Sequence, residues 1–97
     1  MRKMDKKRDK DIVAALTDVC EDAKQRCEGF AWISHSVNFQ RFPDSLQVSC
    51  AYASQSLLSE ANESGEQQEL TQQVVAALAN KGIVISKPQR QIRFISE

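Results

Sequence analysis

Phe30-Ala31-Trp32-Ile33-Ser34-His35-Ser36-Val37-Asn38-Phe39 and Leu46-Gln47-Val48-Ser49-Cys50-Ala51-Tyr52 alternate apolar and polar residues on either side of Gln40-Arg41-Phe42-Pro43-Asp44-Ser45. A side-chain period of two marks a strand with one buried face. Pro-Asp between two such runs marks a hairpin. With Pro43 and Asp44 at the turn, Phe42 faces Ser45, Phe39 faces Val48, Val37 faces Cys50 and His35 faces Tyr52. That register puts Ile33, Val37, Phe39, Leu46, Val48 and Cys50 on one face. Trp32, Ser34, Ser36, Asn38, Gln47 and Ser49 fall on the other. A slip of one residue would turn one apolar set into water.

The flanking segments read as helices. Ile12, Leu16, Val19, Cys20, Ala23 and Cys27 recur at spacings of three and four, so residues 12–28 form an amphipathic helix. Gly29 ends it, and Asp9 or Asp11 caps its start. Residues 55–62 form a short helix that breaks at Glu63-Ser64-Gly65. Ser64 and Gln67 have the spacing of a capping box, opening a helix over 66–81 with Leu70, Val74, Ala77 and Leu78 on its stripe. Gly82 closes it. Ile83-Val84-Ile85 reads as a strand, Ser86-Lys87-Pro88-Gln89 as a turn, and Gln91-Ile92-Arg93-Phe94-Ile95 as a last strand. The expected fold is α+β. Two main helices lie on one face of a three- or four-stranded sheet, in the order α-β-β-(α)-α-β(-β).

The chain has 97 residues, enough for one core and one domain, with residues 1–10 as a basic segment that frays or extends the first helix. An apolar fraction of 41% and a charged fraction of 27% are those of a globular protein. No run approaches the roughly 20 apolar residues of a membrane span. The charged start leads into an amphipathic segment rather than an apolar signal core. These features point to a cytoplasmic protein with reduced cysteines. Net charge is zero but unevenly spread. Residues 1–11 carry six Lys/Arg against three Asp, residues 12–80 three basic against nine acidic, and residues 81–97 four basic against Glu97. If the two basic ends meet, they form a phosphate-holding patch. If they do not, they are solvated helix and strand faces.

Few residues suggest chemistry. Cys20 and Cys27 stand about 10 Å apart along a helix, too far to share one zinc or a disulfide. With Cys50 they read as small core hydrophobes. His35, the one histidine, is either a titratable group between sheet and helix or a residue at the core margin bonded to Tyr52 or backbone. No nucleophile–base arrangement, metal site or phosphate loop is present in the spacing, so no enzyme, metal or cofactor is expected. Glu66 and Glu69 suit the first turn of a helix. Trp32 on a polar face is a contact anchor, a base-stacking platform, or a side chain covered by a neighbouring segment.

Lys3 to Lys7, Ala15-Leu16-Thr17-Asp18-Val19-Cys20-Glu21, Gly29-Phe30, Trp32, His35, Val37-Asn38, Phe42-Pro43 and Gln91-Ile92-Arg93-Phe94 resemble a family of short proteobacterial proteins of unknown function, often labelled Fis-like transcriptional regulators. The resemblance covers most of the chain and implies little about activity. A Fis-type reader ends in a helix-turn-helix, whereas this chain is predicted to end in strands. In element order the chain is similar to the type II KH fold and to ribosome-binding-factor-A and BolA-like proteins. The KH grip is a GXXG loop. Its matching place here, Asn62-Glu63-Ser64-Gly65-Glu66, has one glycine and two glutamates.

Two functions are therefore expected. The first is a non-enzymatic module for nucleic acid or the ribosome, contacting phosphate through Lys3, Lys6, Lys7, Arg8, Lys10, Lys87, Arg90 and Arg93. The second is a protein-interaction or homodimerisation domain using the sheet face around Trp32 and Phe30, or the open edge of the last strand.

Overall fold

The computed structural model describes residues 3–42 and 44–97, the side chains of 3–5 and 39 excepted. The expected phosphate contact by Lys3, the core placement of Phe39 and the turn conformation of Pro43 lie outside these. The fold is α+β, as the sequence predicts. Helix α1 spans Lys3–Arg26, strand β1 Phe30–Ser36, β2 Gln47–Tyr52, α2 Gln55–Ser64, α3 Glu66–Ala79, α4 Pro88–Gln91 and β3 Ile92–Ser96. The sheet order is β1-β2-β3. β1 and β2 are antiparallel and β3 runs parallel to β2. Ile12, Leu16, Val19 and Ala23 of α1 and Leu70, Val74 and Leu78 of α3 are buried with Val48, Cys50 and Ile92 of the sheet. Cys27 is buried too, so both helical stripes face the core.

Several details differ from the reading above. Helix α1 begins at Lys3, not Ile12, so the charged segment extends the helix. The hairpin pairs Ile33 with Cys50 and His35 with Val48, four residues from the expected register. β1 stops at Ser36, and a single 3₁₀ turn, Phe39–Arg41, takes up the slack. Asn38 Oδ1 accepts from the Gln40 amide, and Ser45 Oγ donates to the Asn38 carbonyl at 2.6 Å. A slip of four is even, so the strands keep their buried and exposed faces.

Ile83-Val84-Ile85 forms no strand. Ile83 and Ile85 are buried and Val84 is exposed; the alternation is right, but no strand pairs with it. The expected turn at 86–89 gives way to α4, with Pro88 in its first turn. Ser64 closes α2, and its hydroxyl accepts from the Glu66 amide at 3.4 Å rather than from Gln67, so the expected capping box does not form. Gly65, at φ +85°, joins the two helices, and Gln67 Nε2 donates to the Leu58 carbonyl. No helix among the described residues is long and apolar enough to cross a membrane.

Candidate functional site

The chain path sorts charge along the molecule. α1 runs antiparallel to β1, because the turn at Gly29 is short and Asp9 Oδ1 lies 3.3 Å from His35 Nε2. The start of α1 therefore sits where β1 ends and β2 begins. The end of α3 reaches the same place: Lys7, Arg8, Asp11 and Phe42 line one depression with Lys81, Gly82 and Ile83. The parallel strand β3 also starts there. Buried Gln91 accepts from the Lys87 amide and donates from Nε2 to the Leu46 carbonyl at 3.1 Å, pinning α4 to the entrance of β2. Lys6, Lys7, Lys10, Lys81, Lys87 and Arg90 thus share one end of a molecule whose cross-section is 23 × 21 Å.

All six are exposed. Among the described residues none of them is in an ion pair; the pairs present are Arg26–Asp22 and His35–Asp9. Arg8 is half-buried, its guanidinium carbon 4.8 Å from the Phe42 ring centroid. That contact sets the guanidinium over an aromatic face. Beside this end lies a groove of about 770 Å³ between α3 and β3. Gln68, Gln72, Lys87 and Arg90 form its walls, and Ile92 and Phe94 its apolar side. Lys81 and the groove glutamines carry no sequence signal of their own. Lys81 reads as an ordinary basic residue at a helix end, and the glutamines as helix surface.

The opposite end is acidic. Asp22 near the end of α1, Glu28 in the turn after it, Glu60 and Glu63 on α2, and Glu66 and Glu69 at the start of α3 outnumber Lys24 and Arg26 of the last turn of α1. It is also the better-locked end. Tyr52 Oη donates to Glu66 Oε2 at 2.7 Å, and Tyr52 meets the Phe30 ring edge-to-face at 5.7 Å. Burial, then the hydrogen bond to Glu66, pushes the Tyr52 phenol far above its ordinary range. Burial, then the Glu66 charge, raises the Cys27 thiol to about 11. Cys50 rises to about 12 through burial. Thiols held neutral this way are poor nucleophiles and poor metal ligands.

Phe30 is not an outward residue. It is 8% exposed and packs in the core. The register shifts between Phe30 and Trp32, so a bulge at Ala31 turns Phe30 inward while Trp32 stays outside. His35 is not bonded to Tyr52; it faces Asp9 at the core margin. Trp32 lies on the open face in a row with Ala51 and Ile95. Its Nε1 donates to Glu97 Oε1 at 2.7 Å, so the indole spans β2 and Ala51 beneath it is fully buried. Trp32 as a whole is 36% exposed. Arg93 sits on this open face in the row of Ser34 and Ser49, apart from the basic end.

Among the described residues no group of three or more His, Cys, Asp or Glu is placed to hold a metal ion. No family model, curated protein or solved structure matches the chain.

Proposed function

We propose that this chain is a non-enzymatic binding module whose basic end docks on the phosphate backbone of a nucleic acid, free or within a nucleoprotein such as the ribosome. The observation that supports this reading is the placement at one end of cations that form no ion pair among the described residues, from two segments some 70 residues apart in sequence: Lys7 with Lys81 around one depression, Lys6 and Lys10 on the same helix start, and Lys87 and Arg90 at the adjacent groove. A helix start disfavours cations, by about 0.3–1 kcal/mol each. Lys6 lies in the first turn of α1 nonetheless, which suits a surface kept for a ligand rather than for stability. The adjacent groove offers amide hydrogen bonds from Gln68 and Gln72 beside the cations, with Phe94 as an apolar contact. Arg93 and Trp32 stand on another surface and have no part in this contact.

The test is a titration of labelled single- and double-stranded oligonucleotides at low salt. Backbone contacts by about five cations predict an affinity that falls with a log–log salt slope of about −4. No detectable binding at low salt would remove the proposal.

A further inference from the structure

We propose that the groove between α3 and β3 takes an unpaired nucleobase, so that the nucleic acid held at the basic end is a single strand. The inference rests on the phosphate-docking reading of that end and names the class of strand it holds.

The groove combines three kinds of lining. Lys87 and Arg90 stand in its wall, and no carboxylate lines it. The depression at the start of α1, by contrast, mixes Asp11 with its cations. A lining with cations and no anion favours an anionic ligand. On the sheet side, Ile92 and Phe94 lie two residues apart on β3 and share its core-facing side. Ile92 is buried, but Phe94 is half-buried, so it packs on the core and still lines the groove. On the helix side, Gln68 and Gln72 stand one turn apart on α3. Two other glutamine amides are committed to the fold: Gln67 Nε2 donates to the Leu58 carbonyl and Gln91 Nε2 to the Leu46 carbonyl. Among the described residues, Gln68 and Gln72 make no side-chain hydrogen bond. Each amide offers two donors and an acceptor.

The occupant follows from that combination. An aromatic side chain, amides that both donate and accept, and flanking cations answer the three parts of one nucleotide: the base face, the base edge and the phosphate. The volume, about 770 Å³, falls within the roughly 300–1,000 Å³ of sites that hold small organic ligands. A base inside a duplex cannot enter. Both its faces are stacked and its pairing edge is used, so a duplex meets the cations alone. An acidic peptide would satisfy Lys87 and Arg90 but has no planar polar ring to set between Phe94 and the two amides.

Anisotropy titrations of the full chain at low salt test this with four labelled probes about 12 residues long. They are a mixed-sequence single strand, a duplex, an abasic sugar-phosphate strand and a polyglutamate peptide. Phosphate contact alone would favour the duplex, which has the highest charge density. The expected result is the reverse: the single strand binds at least about tenfold more tightly than the other three. Gln68→Ala with Gln72→Ala, at exposed helix positions, is expected to stay folded and to lose about fivefold in single-strand affinity, with duplex binding unchanged. Phe94→Leu keeps the apolar bulk and is expected to show a similar loss. Equal or tighter binding of the duplex or the abasic strand would overturn the groove assignment while leaving the phosphate reading in place. So would a double variant that binds the single strand like the unaltered chain, or whose loss is shared by the duplex. Tighter binding of polyglutamate would overturn the choice of occupant. No binding of any nucleic-acid probe would remove the phosphate reading and this inference with it.

Discussion

The two ends of the molecule handle charge and packing in opposite ways. At the acidic end, local rules are obeyed. Glu66 and Glu69 stand in the first turn of α3, where carboxylates suit the helix dipole. Tyr52, Phe30 and Cys27 are buried and partnered. Gly29 takes φ +86° directly against Leu57. At the basic end the rules are relaxed. Cations stand at a helix start, the chain passes through a 3₁₀ turn and an irregular segment, and among the described residues the lysines form no ion pair. The lesson is a division of labour. One end is locked by buried, partnered side chains, and the other is the surface proposed to meet a ligand.

The largest expected effect on stability comes from the locked end. Gly29→Ala puts a methyl within 2.5 Å of Leu57 and forces a left-handed conformation on an L residue. About 2–4 kcal/mol should be lost in denaturant unfolding, with nucleic-acid affinity unchanged below the transition. Gly82→Ala at the basic end, also left-handed but in open space, should cost about 1–2 kcal/mol. Equal losses at the two positions would erase the contrast.

Alkaline pH should act through the same end. Cys27 rises from 9.0 to about 11, Cys50 to about 12, and Tyr52 is raised further. Folding favours the neutral forms, so their contribution is complete below the unfolded values. Above about pH 9 the unfolded chain releases protons that the folded chain keeps, and stability falls with pH. On the order of 2 kcal/mol per fully buried thiol is lost by about pH 11. Melting curves between pH 7 and pH 11 check this, and a flat profile would contradict the buried, neutral assignments.

A smaller effect is expected on the open sheet face. Trp32→Phe removes the 2.7 Å bond to Glu97 but keeps an aromatic ring over Ala51. About 1 kcal/mol is the expected loss, read by the same unfolding assay. The smallest is at the basic end. Lys87→Glu with Arg90→Glu should change stability by less than about 0.5 kcal/mol, while weakening oligonucleotide binding at least about tenfold at low salt. If stability fell instead and binding held, the assigned roles of the two ends would be reversed.

The sequence carries the fold further than the site, for physical reasons. The faces of β1 and β2 depend on parity alone, and parity survived an even error in register. The register itself depended on the Asn38–Ser45 clasp and the 3₁₀ turn, which leave no periodic trace. Ile83-Val84-Ile85 has the right alternation, but a strand also needs a neighbour, and nothing in three residues specifies one. Phe30 was misplaced because a single bulge at Ala31 reverses a side chain without altering the pattern of residue types. The basic runs were plain in the sequence. Their meeting was not, because it requires α1 antiparallel to β1, β3 parallel to β2, and Gln91 holding α4 against Leu46.

Mapping backbone amide shifts during titration with an oligonucleotide addresses the central claim most directly. The account predicts changes concentrated at residues 6–10 and 81–91 and along the α3 side of the groove, fading as salt is raised. Changes centred on Trp32 and the open sheet, or on the acidic end around Glu66, would contradict it.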